Sequence, residues 1–403
     1  MLRQKRLLIA VGGGIAAYKV CELVSQLFQA EVEVRVMLSQ TATEFITPLT
    51  LSTLSRHRVY RDRDFWNPIA PKPLHIELGE WSQLLTIAPL TANTMAKLAH
   101  GIADNLITNT VLASRCPVLL APAMNTDMWE QIPVQKNWQI LQENPRYHTI
   151  GPASGLLACD RVGAGRMAEP KEIVQSIESL FHTSGKRDLN GKNVLISAGG
   201  TREYLDPVRF IGNPATGKMG LALARAAMHR GASVTLVCGP TEIELPKSLA
   251  NIRIITAVSA AQMEREMLSA FDRADLVVMS AAVADVKPAQ YFSSKLSKKD
   301  LPSQLSLEPV PDILKKLSDR KRDGQILIGF AAQTGDIVKP AKEKLKNKRL
   351  DAIFANPIDL PGAGFSSDSN QGMLIDRNGR IEAVELNTKL ALAHRIFNFI
   401  ADI

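Results

Sequence analysis

The strongest constraint on the fold of this chain is an alternation of short apolar runs with helical stretches, which recurs throughout the sequence. RLLIAV (6–11) runs into glycines and the helical stretch IAAYKVCELVSQLFQ (15–29). Further apolar runs follow at EVEVRVML (31–38), LLTIAPL (84–90) and PVLLAPA (117–123). Strands separated by helices at this spacing predict a parallel sheet with right-handed crossovers. In open sheets of this kind ligands bind outside the carboxyl ends of the strands, so the loops after these runs are candidate binding segments.

The alternation is interrupted at the hydrophilic stretch HTSGKRDLNGK (182–192) and begins again immediately afterwards. The second series comprises NVLISAGG (193–200), MGLALARAAMHRG (219–231), SVTLVCGP (233–240), RADLVVMSAAVAD (273–285), QILIGFAAQTG (325–335) and LDAIFAN (350–356). A chain of 403 residues is also too long for one ordinary core. We therefore predict an α/β fold with two Rossmann-like domains built on parallel-sheet cores, at residues 1–188 and 189–403, each with its own site.

The composition disfavours two function classes. The formal charge is +8, but lysine and arginine are spread along the chain, aromatic residues make up only 5% and no nucleic-acid-binding motif is present. Most of the basic excess lies in KLSKK (295–299), ILKKLSDRKR (313–322) and KPAKEKLKNKR (339–349), where it suits a phosphorylated small molecule as well as a polyanion. No apolar stretch approaches the ~20 residues that a transmembrane helix needs.

The four cysteines, Cys21, Cys116, Cys159 and Cys238, are widely separated and form no C-x-x-C pair. This spacing indicates neither a zinc site nor a disulfide framework. We expect a cytoplasmic protein that acts on small molecules and binds neither nucleic acid nor membranes.

A glycine-rich turn, VGGGIAAYK (11–19), follows the first apolar run and opens a helix, so its backbone N–H groups can receive an anion. A dinucleotide-binding fold places an acidic residue after the second strand to bind the ribose. Here that strand runs into MLSQTATEF (37–45), whose hydroxyl groups suit a phosphate better. The sequence therefore favours a mononucleotide such as FMN and disfavours an NAD-dependent dehydrogenase. Taken alone, the turn is equally compatible with a tight connection from strand to helix that binds no ligand.

The second half contains a near-match to the P-loop, IGNPATGKMG (211–220). Gly212, Gly217 and Lys218 fit that pattern, but Met219 stands where a hydroxyl group would ligate Mg²⁺. We therefore disfavour a Walker-type ATPase and predict a glycine-rich anion-binding loop ahead of a helix.

Three further stretches carry side chains suited to chemistry. HIELGEW, LAPAMNTDMW and GLLACDRVGAGRM supply His75, Asn125 and Cys159. Each has an ordinary explanation: a structural histidine, an asparagine that caps a helix, and a cysteine that packs as a small hydrophobe. The alternative for Cys159 is a reactive thiol on a mobile, glycine-rich flap.

The joint order of these motifs carries a family resemblance. HIELGEW, APLTANTMAKLAHGIADNL (88–106), LAPAMNTDMW and GLLACDRVGAGRM together resemble the flavin-dependent cysteine decarboxylases. SAGGTREYLDPVRFIGNPATGKMG (197–220), with AAVADVKP, GFAAQT and GFSSDSNQG, is similar to phosphopantothenate–cysteine ligases. The motifs cover essentially the whole chain and resemble the bifunctional enzymes of bacterial coenzyme A biosynthesis. The resemblance implies an N-terminal flavodoxin-like, flavin-binding decarboxylase domain and a C-terminal nucleotide-binding ligase domain.

For the first half, the resemblance implies decarboxylation of 4′-phosphopantothenoylcysteine to 4′-phosphopantetheine. In such enzymes FMN oxidises the substrate thiol to a thioaldehyde, carbon dioxide leaves, and the resulting enethiol is reduced. His75 would transfer protons and Asn125 would hold the substrate carboxylate. Cys159 would donate the proton when the enethiol is reduced, and Arg166 would contact the substrate. The implied flavin contacts are Gly13, Ile15, Ser39, Ala88, Thr91, Asn93 and Met124.

For the second half, the resemblance implies that 4′-phosphopantothenate is joined to L-cysteine through an acyl-cytidylate made from CTP with Mg²⁺. Asn213 would lie near the acyl intermediate and Lys295 would act on the triphosphate. The implied CTP contacts are Met279, Ser280, Ala281, Asp285, Lys295, Pro311, Asp312, Ile313, Leu314, Phe330, Lys344 and Lys348. No protein ligand of the metal ion is identified.

The chain departs from the family pattern at three places. NPATG carries Ala215 and Thr216 where a serine pair is more common, so one phosphate-binding hydroxyl group is lost. Tyr204 replaces the usual proline, and Gln333 stands where glutamate is usual, which could alter the handling of metal or nucleotide.

The resemblance also implies a homo-oligomer. Decarboxylases of this family form trimers or multiples of trimers with the flavin between subunits, so His75 would serve a neighbouring flavin, and the ligase domains would pair as dimers. Two alternatives stay open: an enzyme active only in its first half, with the second half as a nucleotide-binding module, and a regulatory flavoprotein without catalysis. Regulatory relatives are expected to lack the asparagine or the flap cysteine, whereas Asn125 and Cys159 are both present.

Overall fold

The computed structural model describes residues 2–66, 72–156, 162–241, 252–359 and 367–403. The chain divides into two compact units, Met1–Lys186 and Arg187–Ile403. Each unit contains a sheet whose strands alternate with helices, so the predicted α/β class is confirmed. Cys159 lies outside the described residues.

The first unit contains a six-stranded sheet in which every pairing is parallel. Its strands are β1 (Arg6–Val11), β2 (Glu33–Leu38), β3 (Val59–Arg61), β4 (Leu84–Leu90), β5 (Val118–Pro122) and β6 (Tyr147–Thr149), and an antiparallel hairpin follows, β7 (Ala153–Leu156) with β8 (Val162–Arg166). The order across the sheet is β3-β2-β1-β4-β5-β6. This is the Rossmann order, with its switch point between β1 and β4, and it differs from the strand order of flavodoxin.

The helices of the first unit cover both faces of this sheet. They are α1 (Lys19–Gln29), α2 (Pro48–Ser55), α3 (Asp62–Phe65), α4 (Leu74–Trp81), α5 (Ala92–His100), α6 (Leu106–Ala113), α7 (Thr126–Trp129), α8 (Ile132–Glu143) and α9 (Pro170–Thr183), with 3₁₀ turns at Ile15–Tyr18 and Thr41–Glu44. Helix α1 illustrates how the apolar pattern forms a helix with one buried face: Val20, Leu23 and Leu27 recur at helical spacing and are fully buried. Strand β4 is buried along its whole length, as expected for a strand covered on both faces.

The second unit repeats the same plan around a larger sheet. Its strands are β9 (Asn193–Ala198), β10 (Arg202–Tyr204), β11 (Phe210–Gly212), β12 (Ser233–Cys238), β13 (Ile252–Thr256), β14 (Leu276–Met279), β15 (Val286–Pro288), β16 (Leu307–Pro309), β17 (Ile326–Gln333), β18 (Ala352–Pro357), β19 (Ser369–Asp376) and β20 (Ile381–Thr388). Its helices are α10 (Lys218–His229), α11 (Ala260–Phe271), α12 (Ile313–Asp319), α13 (Val338–Asn347) and α14 (Lys389–Ile400). The sheet order is β13-β12-β9-β14-β17-β18-β19-β20, so its parallel strands follow the same Rossmann order.

The last two strands of this sheet are antiparallel, which the parallel-sheet prediction did not include. The turn between them contains Asn378-Gly379, with Gly379 at φ +90°, and the Asp376 carboxylate accepts from the N–H groups of Asn378 and Arg380 at 2.8 and 2.9 Å. An Asn-Gly pair between two alternating runs is a strong hairpin signal. The β19–β20 hairpin therefore extends the sheet at one edge without a crossover helix.

Cys21, Cys116 and Cys238 are free thiols, and Cys238 is the one that lies in the second unit. Burial raises the pKa of the Cys238 thiol to about 11. Of the helices in the described ranges, none is both long enough and apolar enough to cross a bilayer.

Candidate functional site

Three loops at the carboxyl edge of the first sheet meet around the glycine-rich turn that follows β1. The N–H of Gly12 donates to the carbonyl oxygen of Pro89 at 3.2 Å, and a Cβ on Gly12 would lie only 2.5 Å from that oxygen. A Cβ on Gly13 would lie 2.4 Å from the Cβ of Thr41. Glycine is therefore required at both positions, because the loops approach too closely for a side chain.

The turn is open on the side of Gly14, where a Cβ would meet nothing closer than the methyl group of Thr91 at 3.9 Å. Two predicted flavin contacts with hydroxyl groups, Ser39 and Thr91, lie at the start of the neighbouring helical segments. The Oγ of Ser39 accepts from the N–H of Ala42 at 3.2 Å, and the Oγ1 of Thr91 accepts from the N–H of Thr94 at 3.3 Å. The structure thus brings together the three predicted flavin-binding segments, which follow β1, β2 and β4.

The remaining predicted flavin contacts differ in exposure. Ile15 is 59% exposed and Asn93 is exposed, and Met124 is half-buried beside the same edge of the sheet. Ala88 is fully buried in the core, so its side chain offers no accessible surface to a ligand in this structure.

Asn125 stands at the start of α7, directly after β5. Its Oδ1 accepts from the N–H of Asp127 at 2.7 Å, which caps the helix and fixes the side-chain amide. The preceding residue, Met124, donates its N–H to the carbonyl oxygen of Gly165 at 2.9 Å. The Asn125 loop is therefore joined directly to β8 of the hairpin that contains the predicted flap.

The glycines of β8 are required by this contact. Gly165 has φ +141°, and a Cβ there would lie 2.3 Å from the carbonyl oxygen of Met124. A Cβ on Gly163 would lie 2.7 Å from the side chain of Thr126. These glycines, which the sequence suggested as a source of flap mobility, allow β8 to pack against the Asn125 loop.

Arg166, the predicted substrate contact, is held by an acidic neighbour. Its guanidinium lies 2.8 Å from the carboxylate of Glu169, which also accepts from the Nζ of Lys19 at 3.0 and 3.2 Å. The side chain of Lys19 is almost buried. Glu169 thereby links the end of β8 to the start of α1. Sequence reasoning does not identify Glu169 or Lys19, since charged residues at helix starts are usually solvated.

His75 lies in the first turn of α4. Its ring packs edge-on against Phe65, with ring centroids 5.3 Å apart, and its Nδ1 is buried without a hydrogen-bond partner among the described residues. The contacts that join the glycine-rich turn to the loops after β2 and β4 do not include His75.

A cavity of about 640 Å³ opens at the carboxyl edge of the second sheet. Its lining includes Asn213 and every predicted nucleotide contact except Lys295: Met279, Ser280, Ala281, Asp285, Pro311, Asp312, Ile313, Leu314, Phe330, Lys344 and Lys348. Segments that are far apart in the chain therefore converge on one cavity.

Asn213 connects three loops at this cavity. Its Nδ2 donates to the carbonyl oxygens of Ala282 and Val283 at 3.4 and 3.2 Å. The N–H of Ala282 donates to the carbonyl oxygen of Gly199 at 2.9 Å, and a Cβ on Gly200 would lie 2.7 Å from the carbonyl oxygen of Asn213. The amide of Asn213 therefore fixes the loops after β9 and β11 against the AAVAD segment after β14.

Two lysines of α13 reach the cavity wall. The Nζ of Lys344 donates to the carbonyl oxygen of Phe330 at 2.8 Å, and burial lowers the pKa of Lys344, against the opposing effect of the Asp285 carboxylate. Lys348 forms an ion pair with Asp312, which also caps α12. These ammonium groups place hydrogen-bond donors at the cavity wall, next to the Asp285 and Asp312 carboxylates.

Lys295 lies outside the cavity lining, on an exposed part of the segment between β15 and β16. The next residue, Leu296, donates its N–H to the Asp206 carboxylate at 3.3 Å and accepts from the Arg209 guanidinium at 3.3 Å. Burial raises the pKa of Asp206, but hydrogen bonds from the N–H groups of Arg209, Val208 and Leu296 hold that pKa at about 2. Asp206 therefore stays ionised and anchors the segment that carries Lys295.

The departures from the family pattern fall in different surroundings. Ala215 and Thr216 line the cavity. Tyr204 packs against Phe210 in the β10–β11 hairpin, with ring centroids 5.6 Å apart. Gln333 ends β17 and is not part of the lining.

The cavity also contains polar residues that the sequence did not connect with it. Lys218, Asn356, Asn370 and Lys389 are all part of the lining. Lys218 had a signal in the near-match to the P-loop. The sequence offers a weaker indication for Lys389, which directly precedes the apolar helical run LALAHRIFNFI.

Comparison with known protein families also divides the chain in two, close to the boundary between the two structural units at Lys186 and Arg187. Residues 1–182 match the family model described as Flavoprotein, and residues 189–403 match the model described as DNA/pantothenate metabolism flavoprotein C-terminal domain.

Individual relatives match the chain over most of its length. It is 43% identical over 401 residues to the coenzyme A biosynthesis bifunctional protein CoaBC of Bacillus subtilis (strain 168), with 100% of this chain and 98% of that protein covered. It is 39% identical over 402 residues to the protein of the same name from Haemophilus influenzae, with coverage of 100% and 98%. It is also 44% identical over 347 residues to a cysteine/cysteine sulfinic acid decarboxylase from an unknown prokaryotic organism, with coverage of 85% and 95%. With both of its units matched and its full length aligned, the chain belongs to the family of bifunctional coenzyme A biosynthesis proteins.

Proposed function

We propose that the protein catalyses two consecutive steps of coenzyme A biosynthesis: ligation of 4′-phosphopantothenate to L-cysteine, and decarboxylation of the product to 4′-phosphopantetheine. The observation that carries this proposal is the full-length similarity to bifunctional proteins of that pathway. One candidate site in each unit, at the carboxyl edge of its own sheet, supports it.

In the ligation step, CTP binds in the cavity of the second unit. A carboxylate oxygen of phosphopantothenate bonds to the α-phosphorus, the bond to the bridging oxygen breaks, and pyrophosphate leaves with the electron pair. The amine of cysteine then attacks the acyl carbon, CMP leaves, and the amine loses a proton. Asn213 fixes the loops around the acyl group, and Lys344 and Lys348 in the lining compensate the charge of the nucleotide. Lys295, outside the lining, would act on the triphosphate from the segment that Asp206 anchors.

Mg²⁺ fits this step as an ion that arrives with the triphosphate. In the part of the chain that the structure describes, no three His, Cys, Asp or Glu side chains converge on a metal site. Mg²⁺ in nucleotide sites is commonly held by one or two carboxylates together with phosphates and water. Asp285, exposed in the cavity lining, is the carboxylate that would help to hold it.

FMN fits the carboxyl edge of the first sheet. The open side of the turn at Gly14 leaves room for a ligand, and the Ser39 hydroxyl group, which accepts from a backbone N–H, keeps its own hydrogen for donation to a phosphate. FMN supplies the two-electron oxidation of the substrate thiol that makes the carboxylate able to leave. Backbone N–H groups near Gly13 and Ile15 would bind its phosphate together with Ser39.

The protein groups of the decarboxylation step lie around the Asn125 loop. The capped amide of Asn125 would donate to the substrate carboxylate, and Arg166 would contact the substrate from β8. His75 would move protons, and Cys159 would donate the proton that completes the product. Catalysis in this site depends on β8, because the hairpin connects these groups.

A coupled assay tests the proposed function directly. The purified holoenzyme, supplied with phosphopantothenate, cysteine, CTP and Mg²⁺, is expected to release pyrophosphate and carbon dioxide in equal amounts, and parallel reactions with ATP establish the nucleotide preference. Pyrophosphate without carbon dioxide would restrict the activity to ligation. Carbon dioxide only from supplied 4′-phosphopantothenoylcysteine would make the second unit a nucleotide-binding module.

The similarity to a cysteine/cysteine sulfinic acid decarboxylase supports a second candidate, decarboxylation of free cysteine or its sulfinic acid. The same assay without phosphopantothenate and CTP separates the two. Carbon dioxide released from free cysteine at a rate comparable to that from 4′-phosphopantothenoylcysteine would favour the second candidate.

We also propose that the flavin site is completed by a second copy of the chain, in an assembly with trimers of the first unit and dimers of the second. His75 packs on Phe65, whereas the described neighbours of the glycine-rich turn come from the loops after β2 and β4, which supports a role at a neighbouring flavin. Co-expression of His75→Ala and Asn125→Ala chains is expected to restore measurable decarboxylation, since mixed assemblies contain sites with both groups intact. Complete inactivity of the mixed assemblies, when each variant alone is folded and flavin-loaded, would contradict a shared site.

A further inference from the structure

Part of the cavity in the second unit is lined by four polar residues that are outside the predicted nucleotide contacts: Lys218, Asn356, Asn370 and Lys389. Lys218 and Lys389 are the first residues of α10 and α14, which pack against each other. Asn356 and Asn370 belong to the neighbouring strands β18 and β19. We call Lys218 and Lys389 the lysine pair.

The two members of the lysine pair differ in their surroundings. The Nζ of Lys218 lies 2.6 Å from the Asp368 carboxylate, whose side chain is 89% exposed. Lys389 is only 6% exposed. Burial and the charge of Lys218 together lower the pKa of Lys389 to about 8, against the opposing effect of the Asp368 carboxylate. Two ammonium groups in the lining of one cavity provide donors and positive charge suited to an anionic ligand.

The backbone beside the lysine pair favours the same kind of ligand. Gly217, Lys218, Met219 and Gly220, at the start of α10, all line the cavity. The first N–H groups of a helix have no acceptor within the helix, and its dipole favours an anion there. A Cβ on Gly220 would lie 2.3 Å from the Cβ of Ala198, so glycine is required for the start of α10 to pack directly against the end of β9.

We propose that Lys389, together with Lys218, binds the two outer phosphates of the nucleoside triphosphate and stabilises them as they leave as pyrophosphate. This rests on the proposed ligase function. When the carboxylate oxygen of the substrate bonds to the α-phosphorus, the bond from that phosphorus to the bridging oxygen breaks. The electron pair stays on that oxygen, and the added negative charge of pyrophosphate lies against the lysine pair.

The first test measures binding of inorganic pyrophosphate to the full-length holoenzyme by calorimetry. Lys389→Met is expected to weaken that binding about tenfold to hundredfold, the range for loss of a charged hydrogen bond. The rate of pyrophosphate release from CTP should fall as well. Lys389→Arg retains most of the affinity, and Lys192→Met, at an exposed lysine of the same unit, leaves it unchanged.

The second test uses the lowered pKa of Lys389. In the unliganded protein Lys389 loses its proton above about pH 8, so wild-type affinity for pyrophosphate, relative to Lys389→Arg, is expected to fall about tenfold between about pH 7 and about pH 9. Among the residues that the structure describes, Lys218 on α10 and Asp368 ahead of β19 are the charged groups that act on the pKa of Lys389. Comparison with arginine, which stays charged, cancels the ionisation of pyrophosphate itself.

Two results would overturn the proposal: wild-type affinity in folded Lys389→Met, or the same pH profile for wild type and Lys389→Arg. The pH comparison decides the matter if Lys389→Met does not fold. Failure of the proposed ligase function gives a different pattern, in which pyrophosphate binds and depends on Lys389, but no pyrophosphate is released from CTP in the presence of phosphopantothenate and cysteine.

Discussion

Asn213→Ala is expected to lower the rate of pyrophosphate release from CTP about a hundredfold, because a displacement of about 1 Å in the loops around the reacting groups can cost that much. The Nδ2 of Asn213 donates to the carbonyl oxygens of Ala282 and Val283, so alanine removes both links between the loop after β11 and the AAVAD segment. The measurement is pyrophosphate release with saturating phosphopantothenate and cysteine.

Two controls separate this effect from general damage to the protein. Asn378→Ala, in the exposed turn between β19 and β20, should leave ligation at the wild-type rate. Decarboxylation of supplied 4′-phosphopantothenoylcysteine should be unchanged in Asn213→Ala, because that reaction belongs to the first unit. Wild-type ligation by folded Asn213→Ala would show that this amide is dispensable.

Gly165→Ala is expected to reduce decarboxylation by more than about a hundredfold, since a displacement of catalytic groups by about 1 Å can cost that much. The new Cβ would lie 2.3 Å from the carbonyl oxygen of Met124, and φ +141° is unfavourable for alanine. The Met124–Gly165 hydrogen bond would break and β8 would move away from the Asn125 loop. Carbon dioxide release from supplied 4′-phosphopantothenoylcysteine measures the loss, and bound flavin, read from its absorbance, should remain.

Two other glycines provide matched controls. Among the described residues, a Cβ on Gly155, on the partner strand of the same hairpin, would meet only the flexible Arg166 side chain, at 3.4 Å or more, so Gly155→Ala should have a small effect. Gly101 has φ +68° but no atom within 4 Å, so Gly101→Ala isolates the cost of positive φ. If Gly165→Ala behaved like these two variants, β8 packing against Met124 would have no catalytic importance.

The layered fold was predictable because strands that are buried on both faces occur in the sequence as continuous apolar runs. β4 is such a strand, and α1 carries its apolar residues at helical spacing. The antiparallel pair β19–β20 was not predicted, although Asn378-Gly379 is a hairpin signal, because its strands are exposed on one side and alternate with polar residues. Strand order depends on which loops cross which face, and that information is not local in the sequence.

The candidate sites were predictable where short motifs carry them. The predicted nucleotide segments converge on one cavity, and the loops after β1, β2 and β4 meet at the glycine-rich turn. Residues that act through distant partners were not predictable. Glu169 becomes informative only once Lys19 and Arg166 are seen beside it, and Lys389 only once α14 packs against α10. In both cases the function of a charge depends on tertiary contacts.

The buried thiol of Cys238 has a consequence for oxidative damage. A cysteine is oxidised through its thiolate, and with a pKa of about 11 Cys238 is almost entirely protonated at neutral pH and shielded from solvent. The other three cysteines all belong to the first unit. Thiol oxidation is therefore expected in the first unit, because the one thiol of the second unit is protonated and buried.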